Sequence, residues 1–344
     1  MEKGLGKEEL IYKRLHDKIP EEWKIPVNDW TELVHRCHKE GVKYIPEKEP
    51  SMMATVLNEE DCFRSSDEEV KCLRHLRYCP AFIHRLEFIK IIYVFSGQIT
   101  VYLNDMEYEM HSGNFCIVTP GIKHTVFSKN DEDWVINILM RISSFSNSFS
   151  SILMEQNILS DFFWKLLYTK HSNRMLLFCC PNDDKLDRWV EKMYRESERE
   201  SGASNLLMKS YAMIFLGIVM REHLNELQLL ENAAMDDVYV LPAIIQHIKN
   251  NLSTVTLEEL TRKFKMEEDE LRHYIVKESG YTFSYLIRDL RFRKALYLLR
   301  NTNMSVERII EEVGYNNITN FYRSFKKNFG KTPLEYRSKE GILL

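Results

Sequence analysis

The feature that most constrains this chain is one short grammar used twice. Thr256-Leu257-Glu258-Glu259-Leu260-Thr261-Arg262-Lys263-Phe264 is followed by a break at Lys265-Met266, then by Glu267 to Glu278 and a stop at Gly280. Ser305 to Val313 repeats the scheme, with a break at Gly314-Tyr315, a second stretch from Asn317 to Asn328 and a stop at Gly330. Each copy predicts a short amphipathic helix, a tight turn and a longer helix ended by glycine, whose missing Cβ suits the left-handed backbone of a helix terminus. Ser305, and Thr256 or Thr254, offer side-chain oxygens to the unpaired N–H groups of a first turn. Between the copies, Thr282 to Leu299 carries Leu286, Leu290, Ala295, Leu298 and Leu299 near helical spacing and predicts a linking helix. One helix-turn-helix pattern is a weak signal. Two in tandem with matched glycine stops are far more restrictive, and they fit an all-helical module. If the linking helix sets the two longer helices about one duplex turn apart, roughly 34 Å, both enter successive major grooves of DNA.

In the second longer helix Phe321 and Phe325 are four residues apart and are expected to face a core, which turns Thr319, Asn320 and Arg323 outward. These side chains can read base edges: arginine makes two parallel bonds to guanine, asparagine pairs with adenine, and a threonine methyl meets that of thymine. Lys326 and Lys327 lie further along, where ammonium groups meet phosphates rather than bases. The plainer reading of both lysines is a solvated face.

The same residues resemble a known family. Arg291-Phe292-x-x-Ala295-x-x-Leu298-Leu299, Val306-x-x-Ile309, Val313-Gly314-Tyr315, Phe321-x-Arg323-x-Phe325-Lys326-Lys327 and Gly330-x-Thr332-Pro333-x-x-Tyr336-Arg337 together resemble the AraC/XylS family of transcription regulators. The resemblance implies double-stranded DNA as partner, major-groove insertion by each unit's second helix, and base contacts from Thr319, Asn320 and Arg323. It further implies transcription activation beside a promoter, with RNA polymerase as a second partner. It places Arg272 and His273 at base-reading positions of the first unit. That unit departs from the family pattern. Lys265 stands where the turn usually has glycine, and Glu267-Glu268-Asp269-Glu270 opens the reading helix. Acidic groups suit a helix N-terminus but oppose a phosphate backbone. Residues 238–280 hold 6 basic and 7 acidic residues, whereas 281–344 hold 12 and 6. The second unit is therefore expected to supply most of the affinity and the first a few selective contacts.

A net charge of −4 over 344 residues hides this asymmetry, because 238–344 hold 18 basic and 13 acidic residues and the remainder 29 and 38. A basic segment on an acidic body fits a DNA-binding module attached to something else. With 44% hydrophobic and 28% charged residues, the chain reads as an ordinary folded protein of more than one domain. Its longest apolar run, Tyr211 to Met220, is too short to span a bilayer, and Met1 to Leu10 lacks a secretory apolar core. Cysteines at 37, 62, 72, 79, 116, 179 and 180 form no regular ladder, which fits reduced thiols in a cytoplasm. Neither a membrane nor a cofactor is expected.

The predicted architecture is α+β and multidomain. A helical extension at 1–50 is broken at Pro20, Pro26, Pro46 and Pro50. At 51–147 Thr100-Val101-Tyr102-Leu103 alternates, Asn104-Asp105 reads as a turn, and Gly97, Gly113 and Pro120-Gly121 punctuate, which predicts an antiparallel β-barrel or sandwich. At 148–232 a helical connector is expected, with Asp183 to Glu200 and Ser204 to Leu227 joined by Glu200-Ser201-Gly202-Ala203. Leu206, Leu207, Tyr211, Ile214, Phe215, Ile218 and Glu222 share a face of the second helix, which either packs on the barrel or pairs two subunits into a homodimer. Residues 228–237 read as a linker, before the DNA-binding domain at 238–344.

Residues 78–124 resemble the cupin-type sensor domain common in the AraC/XylS family. His84 and His124 match two ligand positions of metal-binding cupins, but Leu86 and Lys90 stand at the positions of the second histidine and the glutamate, so no metal centre is expected. Period-two alternation puts His84, Leu86, Phe88 and Lys90 on one strand face. If that face is the lumen, Lys90 flanked by histidines suits a small anionic effector such as a carboxylate. Alternatively, Lys90 pairs with a buried glutamate or points outward through a strand irregularity. His35, Cys37 and His38 do not share a helix face and read as core and surface residues. The favoured function is a sequence-specific regulator, an activator, with an N-terminal sensor. A DNA-binding adaptor whose barrel holds a protein is not separated from it. A cupin enzyme with a helical appendage would need a metal or an acid–base set, and neither is visible.

Overall fold

Proline and aspartate set the first helix boundaries. α1 (Lys7–Lys18) gives way to α2 (Pro20–Trp23), with Pro20 in the first turn, where its missing N–H has no helical partner to lose. α3 (Trp30–Lys39) starts at Asp29, whose carboxylate accepts from Glu32 N at 2.8 Å. The structure, a computed structural model, describes residues 4–41, 55–103, 106–146, 149, 152–154, 158–168, 174–180, 183–199, 203–231 and 240–340. Pro46, Pro50, the expected turn at Asn104-Asp105, the turn residues 200–202 and the linker residues 232–237 lie outside them. Two compact units are present: Met1–Ser144 with Ser172–Met235, and Phe145–His171 with Asp236–Leu344. The expected connector is thereby distributed over both.

In the first unit a short parallel pair joins β1 (Val56–Leu57) to β3 (Arg85–Leu86). α4 (Glu59–Cys62) and β2 (Val70–Arg74) lie between them in the chain. β4 (Ile89–Ser96), β5 (Gln98–Leu103), β6 (Met106–His111), β7 (Phe115–Val118), β8 (His124–Ser128) and β9 (Trp134–Met140) then follow as short strands. In chain order α5 (Ile142–Ser146) and α6 (Ile158–Tyr168), the latter belonging to the second unit, come next, and the first unit resumes with β10 (Arg174–Phe178), α7 (Asp184–Ser197), α8 (Ser204–Glu222) and β11 (Leu227–Glu231). Among the described residues six strands form one sheet in the order β11-β10-β7-β4-β9-β2, and three form another in the order β6-β5-β8, with antiparallel pairing throughout.

Alternation explains how the two sheets close on each other. β5 buries every second residue, Ile99, Val101 and Leu103. These pack with Ile92 and Val94 of β4, Cys116 and Val118 of β7, and Val126 of β8 in one apolar interior. The opposite face of the larger sheet is covered by α8, whose Phe215 meets Tyr93 and Phe115 at ring centroids 6.2 and 5.4 Å apart. Tyr93 also donates to Asp187 of α7 at 2.7 Å.

Two expectations are corrected here. Residues 228–231, read as linker, belong to β11, which pairs with β10 from Leu227↔Phe178 to Glu231↔Arg174. β10 in turn pairs with β7, so a stretch read as wholly helical supplies two strands. The apolar face of α8 was also expected elsewhere. Its buried residues are Met208, Ala212, Phe215, Leu216, Ile218 and Val219, while Leu206 is 67% and Ile214 38% exposed.

The N-terminal helices are anchored by a buried ion cluster. Glu9, 1% exposed, accepts from Arg74 Nη2 at 2.6 and 2.7 Å and from Arg77 Nε and Nη2 at 3.0 Å each. Burial opposes its charge, but the Arg77 guanidinium and backbone hold its carboxyl down to about 2. Tyr12, Leu15, Trp23, Leu33 and Cys37 complete a core with Tyr78 and Phe82. Cys37 is thus a core residue, while His35 and His38 on the same helix are exposed.

The second unit consists of α6 with α9 (Val240–Asn250), α10 (Leu257–Phe264), α11 (Glu268–Ser279), α12 (Phe283–Asn301), α13 (Val306–Glu312), α14 (Ile318–Phe329) and α15 (Pro333–Glu340). α6 docks through Tyr168, whose hydroxyl donates to Asp289, and Arg293 Nε reaches Asp289 Oδ2 at 2.7 Å and Tyr168 Oη at 2.8 Å. α12 buries Leu286, Leu290, Phe292, Ala295, Leu296 and Leu299 on more than one side, as a helix does when it links two packed units.

Candidate functional site

Local chemistry builds the second helix pair. Ser305 Oγ accepts from Arg308 N at 3.2 Å and starts α13. The turn after it needs Gly314, at φ +80°, because an added Cβ would lie 2.5 Å from the backbone of Ser253. Asn317 Oδ1 accepts from Asn320 N at 2.9 Å and starts α14, and Gly330 at φ 71° ends it. Phe321 and Phe325 are fully buried, and both pack on Phe292 with ring centroids 5.8 and 6.0 Å away.

That burial fixes which side of α14 meets solvent. Thr319, Asn320, Arg323, Lys326 and Lys327 are all exposed. Arg323 Nη2 donates to Asn320 Oδ1 at 2.9 Å, so the guanidinium and the amide lie side by side one turn apart. Ile318 joins them at 50% exposure and was not singled out from the sequence. Its signal was available: an isoleucine at the first helical position, out of phase with Phe321 and Phe325. An exposed branched side chain there can meet a thymine methyl.

The first helix pair has the same skeleton and different charge. Thr256 Oγ1 accepts from Glu259 N at 3.1 Å. Lys265 takes the left-handed position itself, at φ 54°. α11 ends at Gly280, φ 80°, and buries Leu271 and Ile275. Arg272 and His273 are exposed on the far side, together with Glu267, Glu268, Asp269 and Glu270. Arg272 is held within its own helix by Glu268 Oε1, at 3.0 Å from Nε and 2.7 Å from Nη2.

In the first unit the three effector-site residues come together. His84 and His124 exchange both backbone hydrogen bonds, each at 3.0 Å, across the two sheets' margin, and their rings stand 4.4 Å apart edge to face. Lys90, 6% exposed, places Nζ 3.4 Å from His124 Nε2. His84 Nδ1 donates to Phe82 O at 2.9 Å and His124 Nδ1 to Ile122 O at 3.1 Å, which leaves each Nε2 as an acceptor. Lys90 thus points inward, the first of the two directions left open by the alternation. Among the described residues no carboxylate lies within ion-pair distance of it, so the pairing with a buried glutamate is not found.

Burial sets the charge state. Loss of water, and then the nearby Lys90, push the His84 imidazole down to about 3. Burial, His84 and Lys90 push His124 well below its ordinary value. Burial also lowers the Lys90 ammonium to about 8, against a small opposing pull from Cys116 and Cys62. This donor set does not fit a resident divalent metal. Two imidazoles share the site with an amine where a carboxylate ligand would have to stand, and the remaining position is the apolar Leu86.

Comparison with known proteins agrees with this geometry. Residues 260–339 match a helix-turn-helix domain and residues 77–140 a cupin domain. The chain is 25% identical over 278 residues to the HTH-type transcriptional activator RhaR of Mannheimia succiniciproducens, covering 80% of this chain and 94% of that protein. It is 22% identical over 296 residues to the HTH-type transcriptional activator RhaS of Escherichia coli O6:H1, covering 84% and 99%. Among solved structures, ToxT from Vibrio cholerae aligns over 78% of this chain and 97% of its own, at 18% identity and a TM-score of 0.31, too low a score to bear on the argument. The two matched domains, the paired helix-turn-helix units and relatives aligned along nearly their whole length show a DNA-binding transcription regulator, in line with the resemblance to the AraC/XylS family.

Proposed function

We propose that the protein activates transcription by reading an extended operator with α14 and α11, under the control of a small anionic effector held beside Lys90. The observation that carries the DNA-reading part is the division of α14: Phe321 and Phe325 are fully buried, and Thr319, Asn320, Arg323, Lys326 and Lys327 all face solvent. Thr319, Asn320 and Arg323 read bases, and Lys326 and Lys327 hold phosphates. Arg272 and His273 add selective contacts from α11. Activation is supported by the names of these two relatives, both transcriptional activators, and RNA polymerase is the partner that activation beside a promoter calls for. Work on a chromosome and the seven free cysteines are in keeping with a cytoplasmic site of action. Among the described residues no helix is long and apolar enough to cross a membrane.

The domain at 238–344 is the DNA reader and that at 51–147 the sensor. Homodimer formation is supported by α8, where Leu206 and Ile214 stand out of the helix away from its buried row. The effector part rests on a buried ammonium with His124 as its hydrogen-bond partner and no counter-charge among the described residues, an arrangement that an arriving anion would stabilise. Thermal unfolding in the presence of acetate, propionate or lactate tests it. Stabilisation of the wild type that is absent from Lys90→Met supports the site. Equal responses remove Lys90 from it.

A further inference from the structure

Lys90 differs from an ordinary anion-binding lysine in where it sits. It emerges from β4 in the middle of an antiparallel sheet, in register with Val118 and Leu139, and points between the two sheets. Its chain neighbours on the same face are Phe88 and Ile92, both fully buried. The titratable groups about it are His84 and His124 across the margin, Cys116 on β7 and Cys62 at the end of α4. Among the described residues Lys90 is the one lysine that is buried. An amine kept from water, with no carboxylate partner among the described residues, is held toward its neutral form, and a neutral primary amine is a nucleophile.

We propose that Lys90 captures a small carbonyl compound, an aldehyde or a 2-oxo acid, as a reversible imine, so that the barrel senses its effector covalently. This rests on the reading of the barrel interior as the effector site and names the effector's class. The geometry provides for each proton. As the Nζ lone pair attacks the carbonyl carbon, the nitrogen becomes cationic and His124 Nε2, 3.4 Å away and unprotonated, accepts its proton. That proton passes from the imidazolium to the carbonyl oxygen, now an alkoxide, and the nitrogen's second proton follows by the same imidazole to the resulting hydroxyl, which departs as water while the C=N bond forms. No oxidant or reductant enters, and water reverses the step when the effector is scarce. A 2-oxo acid would also set a carboxylate beside the imine nitrogen, a counter-charge for its protonated form that no described residue supplies.

The full-length protein is incubated with pyruvate, glyoxylate or glyceraldehyde, reduced with borohydride, and read by intact mass and peptide mapping. Lactate, which lacks the carbonyl, and the variants Lys90→Met and Lys90→Arg serve as controls. The expected result is a single, near-stoichiometric adduct on the peptide carrying Lys90, at least about tenfold above any other lysine, and its loss in both variants. Mapping on the wild type stands even if a variant fails to fold. Labelling spread evenly over surface lysines, or no adduct, overturns the proposal. If lactate and pyruvate stabilise the wild type equally and no adduct forms, the site holds a simple anion and only the imine is refuted. If neither stabilises nor reacts, the effector reading falls with it.

Discussion

Arg272 gives two hydrogen bonds, of 3.0 and 2.7 Å, to one carboxylate oxygen of Glu268, a turn earlier on α11. On α14 the exposed arginine, Arg323, which stands in register with His273 of α11, leans instead on the neutral Asn320. The two reading helices share a skeleton but not a charge. A guanidinium engaged by a carboxylate must break that pair, or keep it and carry a negative charge toward the phosphates. Either outcome is expected to weaken the first unit's grip on DNA without changing its fold.

Glu268→Ala is therefore expected to tighten non-specific DNA binding by about fivefold and to steepen its salt dependence by roughly one counterion. Fluorescence anisotropy on an unrelated duplex across a salt series measures both. Thermal stability should change little, since the pair is exposed on both sides. Weaker binding by the variant would show that Glu268 itself contacts DNA.

The two turns give opposite responses to substitution. Gly314→Ala adds a Cβ 2.5 Å from Ser253 at a positive φ, so a loss of at least about 2 kcal/mol is expected in urea unfolding. Lys265 holds the equivalent left-handed position with a side chain, at φ 54°. Lys265→Gly removes that strain and is expected to gain roughly 0.5 kcal/mol, the larger relief being partly offset by a freer unfolded chain.

Much of the second unit was legible from the sequence, and the reason is locality. Caps at Thr256 and Ser305, stops at Gly280 and Gly330, and the Phe321–Phe325 spacing each act within a few residues, whereas the cap at Asn317 was not read. β10 and β11 were not legible, because each is a strand only through a partner distant in the chain, β7 for the first and β10 for the second. The buried face of α8 was misjudged because nearly every residue from Tyr211 to Met220 is apolar, so periodicity gives no phase there. The assignment of 145–171 to the DNA-binding unit hangs on Tyr168, Asp289 and Arg293 meeting across the chain. At the barrel site, period-two alternation put Lys90 on one face with His84, Leu86 and Phe88, but which way that face turned, and whether Lys90 had a carboxylate partner, could be read only from the packed structure.

Glu9 anchors α1 through two arginines and is itself almost fully buried. Glu9→Gln leaves two guanidiniums, one of them buried, without their charge, and a loss of about 3–5 kcal/mol is expected on chemical unfolding. Little change would show that water reaches the cluster freely.

Acid should destabilise the sensor through its histidines. In the folded protein the His84 imidazole is pushed down to about 3 from an ordinary 6.5, so between these values the unfolded chain binds more protons and unfolding gains ground as pH falls. His124 acts in the same direction. Their contribution is intact above about pH 6.5 and lost progressively toward pH 3. Lys90, lowered from 10.5 to about 8, adds a second limb at high pH, where stability rises between those two values. Melting temperature against pH should be flatter on the acid side in His84→Gln/His124→Gln than in wild type. An unchanged acid limb would place its origin elsewhere.

The central claim is that the outer face of α14, led by Arg323, reads bases in the major groove. Selection of bound duplexes from a random pool by the full-length protein, at moderate salt and with cell extract as a source of effector, tests it directly. An enriched site with two blocks of fixed bases about one helical turn apart is predicted, with Arg323→Ala losing preference in one block and about 1–3 kcal/mol of affinity, more than Arg272→Ala loses. Failure of the wild type to prefer any duplex over competitor, or a preference that Arg323→Ala leaves unchanged, would contradict it.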